Sequence, residues 1–203
     1  MRPLLLHTLA MDSGGSQSGF TLIELMVVIA IAALAITLST PLSNIYKRNR
    51  VTTQTHDFVA ALKLARSEAI TRGNPVSICV ADATDPTQCV APDDSSPDPV
   101  YNWENGWIVF SDPVNSCTID DGVDVIINQH RALAQNFTLR HGNARCIQYN
   151  ANGVVPYGRG ILTLCDPTKS KQLMREINLS ISGRVQILDS DNANFDTSLT
   201  CPS

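Results

Sequence analysis

The sequence predicts an α+β protein: a long N-terminal helix, apolar over its first half, packed on a C-terminal head of two antiparallel β-sheets. Three observations lead there. Residues 20–38, FTLIELMVVIAIAALAITL, are nineteen positions with a single charge. Residues 42–72 continue with few helix breakers and carry apolar side chains at helical spacing. Beyond residue 74 the pattern changes to short β-rich runs separated by turn residues.

Taken in order, residues 20–38 as a helix span about 28 Å at ~1.5 Å per residue, enough to cross a bilayer core. Val51, Thr55, Phe58, Val59, Leu62, Ala65 and Ala69 then form a stripe suited to rest on a globular domain. Gly73-Asn74-Pro75 ends the helix. The whole helix, 20–72, is expected to be about 80 Å long at ~1.5 Å per residue, with a bend at Pro41. Eight strands are predicted in the head, 73–203: 76–81, 106–111, 123–130, 137–140, 145–150, 161–165, 175–181 and 184–188. Residues 82–100, rich in Asp, Pro and Ser, read as a surface loop, and Ser182-Gly183 as a tight turn. A chain of 203 residues holds one core-bearing domain and an appendage. Aromatics are only 5% of it, so Val, Ile and Leu must build the core.

The formal net charge of −4 conceals a segregated pattern. Residues 73–130 carry ten acids and no Lys or Arg, whereas residues 131–188 carry eight bases and only Asp166 and Glu176. Such a division suits docking to a partner subunit or an anion, and solvated faces also cluster charge. Six cysteines, Cys79, Cys89, Cys117, Cys146, Cys165 and Cys201, all follow residue 72, which points to disulfides in an oxidising compartment. With no C-x-x-C or H-x-x-x-H spacing, structural zinc is disfavoured and no metal site is expected. Fifteen pairings are open. The expected set is Cys79–Cys89 closing a short loop, Cys146–Cys165 bridging two strands, and Cys117–Cys201 by remainder.

Glu24 needs a reason, because a charge at the centre of a bilayer helix costs roughly 2.5–3.5 kcal/mol, less towards the interface. A cleaved secretory signal is too short to match the apolar run and leaves the acid unexplained. A plain membrane anchor explains the length alone. The string Gly19-Phe20-Thr21-Leu22-Ile23-Glu24-Leu25 resembles the processing site of type IV prepilins and pseudopilins. The resemblance implies a leader, 1–19, cut between Gly19 and Phe20 by a prepilin peptidase, which also N-methylates Phe20. Glu24 then falls at the fifth mature position. The new amine at the head of an apolar helix would meet Glu24 of a neighbouring subunit and so fix axial register. The leader is long, with Arg2 as its only base, and a start at Met11 gives a shorter one with none. Lys47, Arg48 and Arg50 after the apolar run would by charge bias place the head in the cytoplasm. The cysteines and the prepilin resemblance place it on the opposite side of the inner membrane, in the periplasm and then in a pilus or pseudopilus filament.

A narrower resemblance covers most of the chain. Trp103-Glu104-Asn105-Gly106-Trp107-Ile108-Val109-Phe110, Asn152-Gly153, Leu164-Cys165-Asp166 and Ser182-Gly183-Arg184-Val185 are similar, in order and spacing, to the GspH/FimT family of minor pilins and pseudopilins. This implies a low-abundance subunit that assembles with other pilins or pseudopilins, in a type IV pilus or a type II secretion system. Trp107 and Phe110 are read as core. Some FimT-like subunits bind DNA through a C-terminal Gly-Arg-x-Arg motif; here Gly183-Arg184-Val185-Gln186 lacks the second arginine. Arg159, Lys169, Lys171, Arg175 and Arg184 are the candidate contacts for DNA phosphates or an acidic partner, provided that they share a face. Aromatic residues for stacking on single strands are scarce, and docking to a partner is favoured over DNA.

Catalysis has no support. His7, His56, His130 and His141 lie in no nucleophile or metal motif, and no phosphate loop or dinucleotide fingerprint is present. Asp120-Asp121-Gly122-Val123-Asp124 and Asp189-Ser190-Asp191-Asn192-Ala193 lack the closing glutamate of a calcium loop and read as turns. No cofactor is expected.

Overall fold

The computed structural model describes residues 19–201 apart from 94, 97, 98, 135 and 143, with residues 37–44 described by backbone alone. Residues 1–18 of the expected leader and the side chain of Pro41 therefore lie outside the described residues. Two compact units divide between Ser43 and Asn44. A single helix, α1 (Leu22–Arg72), contributes to both, and eight strands follow it: β1 (Val76–Val80), β2 (Trp107–Ser111), β3 (Val125–His130), β4 (Thr138–Arg140), β5 (Cys146–Tyr149), β6 (Gly160–Cys165), β7 (Arg175–Leu179) and β8 (Val185–Asp189).

In the first unit the described residues of α1 are exposed on every side. Leu22, Ile23, Leu25, Met26, Val27, Val28, Ile29, Ile31, Leu34 and Ile36 all lie open. Among the described residues no helix is long and apolar enough to cross a membrane; the side chains of Thr37 and Leu38, which complete the expected span, fall outside them.

In the second unit α1 buries one stripe. Val51, Thr55, Phe58, Val59, Leu62, Ala65 and Ala69 are all buried, the seven positions that helical spacing selects. Thr55 satisfies its hydroxyl by donating to the Val51 carbonyl at 2.8 Å. The helix stops where Gly73 takes φ +65°, a conformation that suits glycine, with Arg72 and Glu68 paired across the last turn at 2.6 Å.

The strands form two four-stranded antiparallel sheets, β3-β2-β1-β5 and β4-β6-β7-β8. Alternation along each strand sends one set of side chains into a shared core with α1. From the first sheet come Val76, Ile78, Val80, Trp107, Val109, Ile147 and Tyr149, and from the second Leu139, Leu162, Leu164, Ile177 and Leu179. Phe58 anchors this core, meeting Trp103 edge-on at 5.5 Å and Trp107 at 4.9 Å. The ladder slips between Val109 and Phe110, so Ile127 becomes an extra residue in β3. That bulge lets Ile127 reach the core while Ile126, its neighbour, stays half exposed.

The outward faces of the central strands are not left to water. Cys79, Ile108, Phe110 and Ala81 pack with Cys89 and Ile119 from the loops after β1 and β2. On the second sheet Cys165, Met174 and Leu188 pack with Phe195, Leu199 and Cys201 of the C-terminal segment. Three disulfides tie these covers down: Cys79–Cys89, Cys117–Cys146 and Cys165–Cys201. The expected Cys146–Cys165 and Cys117–Cys201 pairs are thus exchanged. Cys146 and Cys165 sit on outward faces of different sheets, so each can only reach a segment lying over its own sheet.

Asp112, wholly buried at the end of β2, holds the second of these covers. Its carboxylate accepts from the Ser77 hydroxyl at 2.7 Å, the Gln148 amide at 3.1 Å, and the backbone N–H groups of Ser116 and Cys117 at 2.8 and 3.0 Å. Four donors replace the lost water.

Two turns of the family-like motifs meet the helix at one point. Gly183, at φ +73°, closes the β7–β8 hairpin, and a Cβ there would lie 2.3 Å from the Gly153 carbonyl. Arg66 of α1 donates to the Gly183 carbonyl at 3.1 Å, and Val155 N–H to that of Ile181 at 2.8 Å. Gly183→Ala is therefore expected to destabilise the head by about 2–4 kcal/mol, combining positive-φ strain with a backbone clash. A lowered midpoint in urea unfolding, with unchanged slope, is the measurement that checks it.

Candidate functional site

At the N-terminus, Gly19 and Phe20 precede the helix, with Phe20 83% exposed. Thr21 caps α1: the Glu24 N–H reaches the Thr21 carbonyl at 3.1 Å and its hydroxyl at 3.3 Å. Thr21-Leu22-Ile23-Glu24 thus has the spacing of a capping box, with an acid in the positive first turn. The axial-register role expected of Glu24 looks outward to another chain, whereas the Thr-x-x-Glu spacing marks a helix start within this one. Glu24 therefore has a local role, favouring helix from its first turn, in addition to any role towards another chain.

The five cationic candidates do not share one site. The β6–β7 register sets Gly160 opposite Leu179 and Leu164 opposite Arg175. Arg159 and the exposed Arg184 consequently stand at one end of the sheet, while Lys169, Lys171 and Arg175 stand at the other. Four residues of strand separate the two ends, about 13 Å at ~3.4 Å per residue. Arg159 donates to the Pro156 carbonyl at 3.0 Å, Arg175 to that of Met174 at 2.9 Å, and Lys171 to that of Thr197 at 3.0 Å. Arg184 lines a polar hollow of about 370 Å³ with Asn178, Ser180, Ser182 and Gln186.

The charge segregation along the sequence is also diluted in space. Glu104 pairs with Arg140, and Asp112 is enclosed in the core. Asp82, Asp85 and Asp93 cap their own loops; their pKa values lie below the ordinary value, chiefly because the hydroxyls of Thr84, Thr87 and Ser95 donate to them. Arg145 turns inward to the Cys117 carbonyl at 2.6 Å. Asp120 and Asp124 close a turn on each other, the Asp120 N–H donating to the Asp124 carboxylate at 2.9 Å.

His141 is 4% exposed, with Nδ1 3.2 Å from the Ile161 carbonyl and Nε2 2.5 Å from that of Gly158. Burial pushes its pKa below the usual histidine value, and the two carbonyls offset part of that. It works as a tie between β4's end and the 157–161 segment.

A family model for the prokaryotic N-terminal methylation motif matches residues 15–40. The model for the type II transport protein GspH matches residues 54–183. The chain belongs to the GspH family. No curated protein matches it. Among solved structures, the type IV minor pilin FimU of Pseudomonas aeruginosa is 21% identical, covering 71% of this chain and 92% of its own, with a TM-score of 0.53. A second crystal form of FimU gives 20% identity, 70% and 94% coverage, and a TM-score of 0.49. The fold is thus shared with a minor pilin, and the GspH family and that fold are those of structural filament subunits rather than enzymes. The GspH match begins at residue 54 and ends at Gly183, spanning the buried stripe of α1 from Thr55 onward, the two tryptophans and the turn that meets Arg66.

The buried histidine of this GspH-family chain gives a pH dependence. The unfolded chain takes up a proton near pH 6.5 that the folded chain resists, so stability is full above that value and falls as the pH drops below it. Urea unfolding at pH 8, 6 and 5 is expected to show the decline, and His141→Gln, which keeps a donor for the carbonyls, to reduce it.

Proposed function

We propose that this chain is a minor subunit of a type IV pilus, made as a prepilin, anchored in the inner membrane by residues 20–38, and drawn into the filament with its head, 73–203, outside the cytoplasm. The observation that carries this reading is the first unit of α1: apolar side chains exposed on every side of a helix that opens on Phe20, Thr21 and Glu24. Such a helix is stable only in lipid or among like helices. Cleavage after Gly19 supplies the amine that a buried Glu24 from a neighbour requires; a lone charge in that setting is strongly unfavourable. Prepilin peptidase and other pilins are the implied partners.

N-terminal sequencing of the mature chain tests the reading. It is expected to begin with N-methylated Phe20, and any other first residue overturns it. Glu24→Ala is expected to be inserted and processed normally yet to enter filaments at least tenfold less, measured by quantitative blotting of sheared filaments against the membrane fraction.

A second reading, a minor pseudopilin of a type II secretion system, is favoured by the family's own description as a type II transport protein. Restoration of secretion rather than of surface filaments in a deletion strain separates the two. DNA binding is supported less, since the five candidate cations split between opposite ends of the second sheet.

A further inference from the structure

We propose that the head carries a site for the phosphate headgroup of an anionic membrane lipid, built from Lys47 and Arg48 of α1 and the 168–172 segment between β6 and β7. The proposal rests on residues 20–38 being a membrane anchor.

A cavity of about 190 Å³ is lined by Lys47, Arg48, Thr168, Ser170, Gln172 and Leu173. Two cations, two hydroxyls and an amide thus converge from segments far apart in sequence, and no carboxylate lines the hollow. Among the described residues the ion pairs are Arg72–Glu68, His130–Asp57 and Arg140–Glu104, so neither Lys47 nor Arg48 has an acidic partner. Asp166, which lines an adjoining hollow with Lys47 and Arg50, is committed to shaping the loop: it accepts from Thr168 N–H and hydroxyl at 3.1 and 2.6 Å and from Ser170 N–H at 3.2 Å. Residues 47–50 and 166–172 together hold five bases against that one acid. Phosphate is the anion such a set recognises, with charge-assisted bonds from Lys and Arg completed by neutral donors.

Location selects the source of the phosphate. Lys47 is the first cation after the apolar run, and Tyr46 stands next to it. Tyrosine and cations collect at headgroup level, with long stems lying along apolar surface and charged ends in the polar layer. A nucleic acid strand wants a track of cations and open aromatic faces. Here the cations line a single hollow of about 190 Å³ rather than a track, and the rings of Tyr46 and Phe137 lie under the Arg50 guanidinium at 5.7 and 5.3 Å.

The test uses the full chain in a maltoside detergent, titrated with dioleoyl-phosphatidylglycerol or dioleoyl-phosphatidylcholine and read by native mass spectrometry. Phosphatidylglycerol is expected to bind at least tenfold tighter, and a Lys47→Gln/Arg48→Gln double variant to lose that preference while its thermal unfolding stays unchanged. If the double variant misfolds, Gln172→Ala, on the exposed rim, is expected to weaken phosphatidylglycerol about threefold. Equal retention of both lipids, or unchanged preference in the variants, overturns the proposal. So does inorganic phosphate that competes at the same concentration as the lipid, or a single-stranded oligonucleotide that binds tighter and is lost in the same variant. Alkaline extraction from vesicles distinguishes the two levels. A chain that resists extraction but shows no lipid preference sinks this site alone, whereas one that washes off sinks the anchor beneath it.

Discussion

The head depends on one contact, the apolar stripe of α1 seated on the inner faces of two sheets. Phe58 sits between Trp103 and Trp107, and Val51, Leu62, Ala65 and Ala69 fill the line above and below it. Burying Val51, Phe58 and Leu62 contributes roughly 1.5–3 kcal/mol each. Neither sheet has another apolar layer of comparable extent, so removing the helix would leave both inner faces in water. The alanines at 65 and 69 matter as much as the large residues, because they let the helix backbone approach the strands.

Around that core the sheets are finished by covers rather than by more secondary structure. Each outward-facing cysteine, on β1, β5 or β6, reaches a loop or tail lying over its own sheet. Asp112 does the same job with hydrogen bonds that the Cys117–Cys146 bridge does covalently, and the two act on one loop. Closing loops of ten to thirty-six residues by disulfides stabilises by roughly 2–4 kcal/mol each, which suits a small domain with few aromatics.

Most of this architecture was legible in the residues. The buried stripe of α1 follows from a 3.6-residue period, and all eight strands lie within two residues of their expected limits because Gly, Asn and Pro punctuate them. What could not be read was information that exists only after the sheets are assembled. Cysteine pairing depends on which face of which sheet each thiol occupies, and Cys146 and Cys165 look equivalent until the strands are sorted into two layers. Charge counted along the chain misled in the same way, since Glu104, Asp112, Arg140 and Arg145 turn inward and leave the surface field. That Lys47 and Arg48 line one hollow with Thr168, Ser170 and Gln172 could not be read either, because no local signal links segments more than a hundred residues apart. The capping role of Thr21 differs in kind, because its signal is local and four residues long, the Thr-x-x-Glu spacing itself.

The arrangement of the three bridges also sets the order in which the molecule would come apart under reducing conditions. None of them crosses from one sheet to the other or touches the helix, so cleaving all three frees two loops and a tail without cutting the contact that joins α1 to the strands. What emerges first is the apolar surface beneath those covers, Ile108 and Phe110 on one flank and Met174 and Leu188 on the other. A head that reached the wrong redox compartment would keep its centre and become sticky at its flanks.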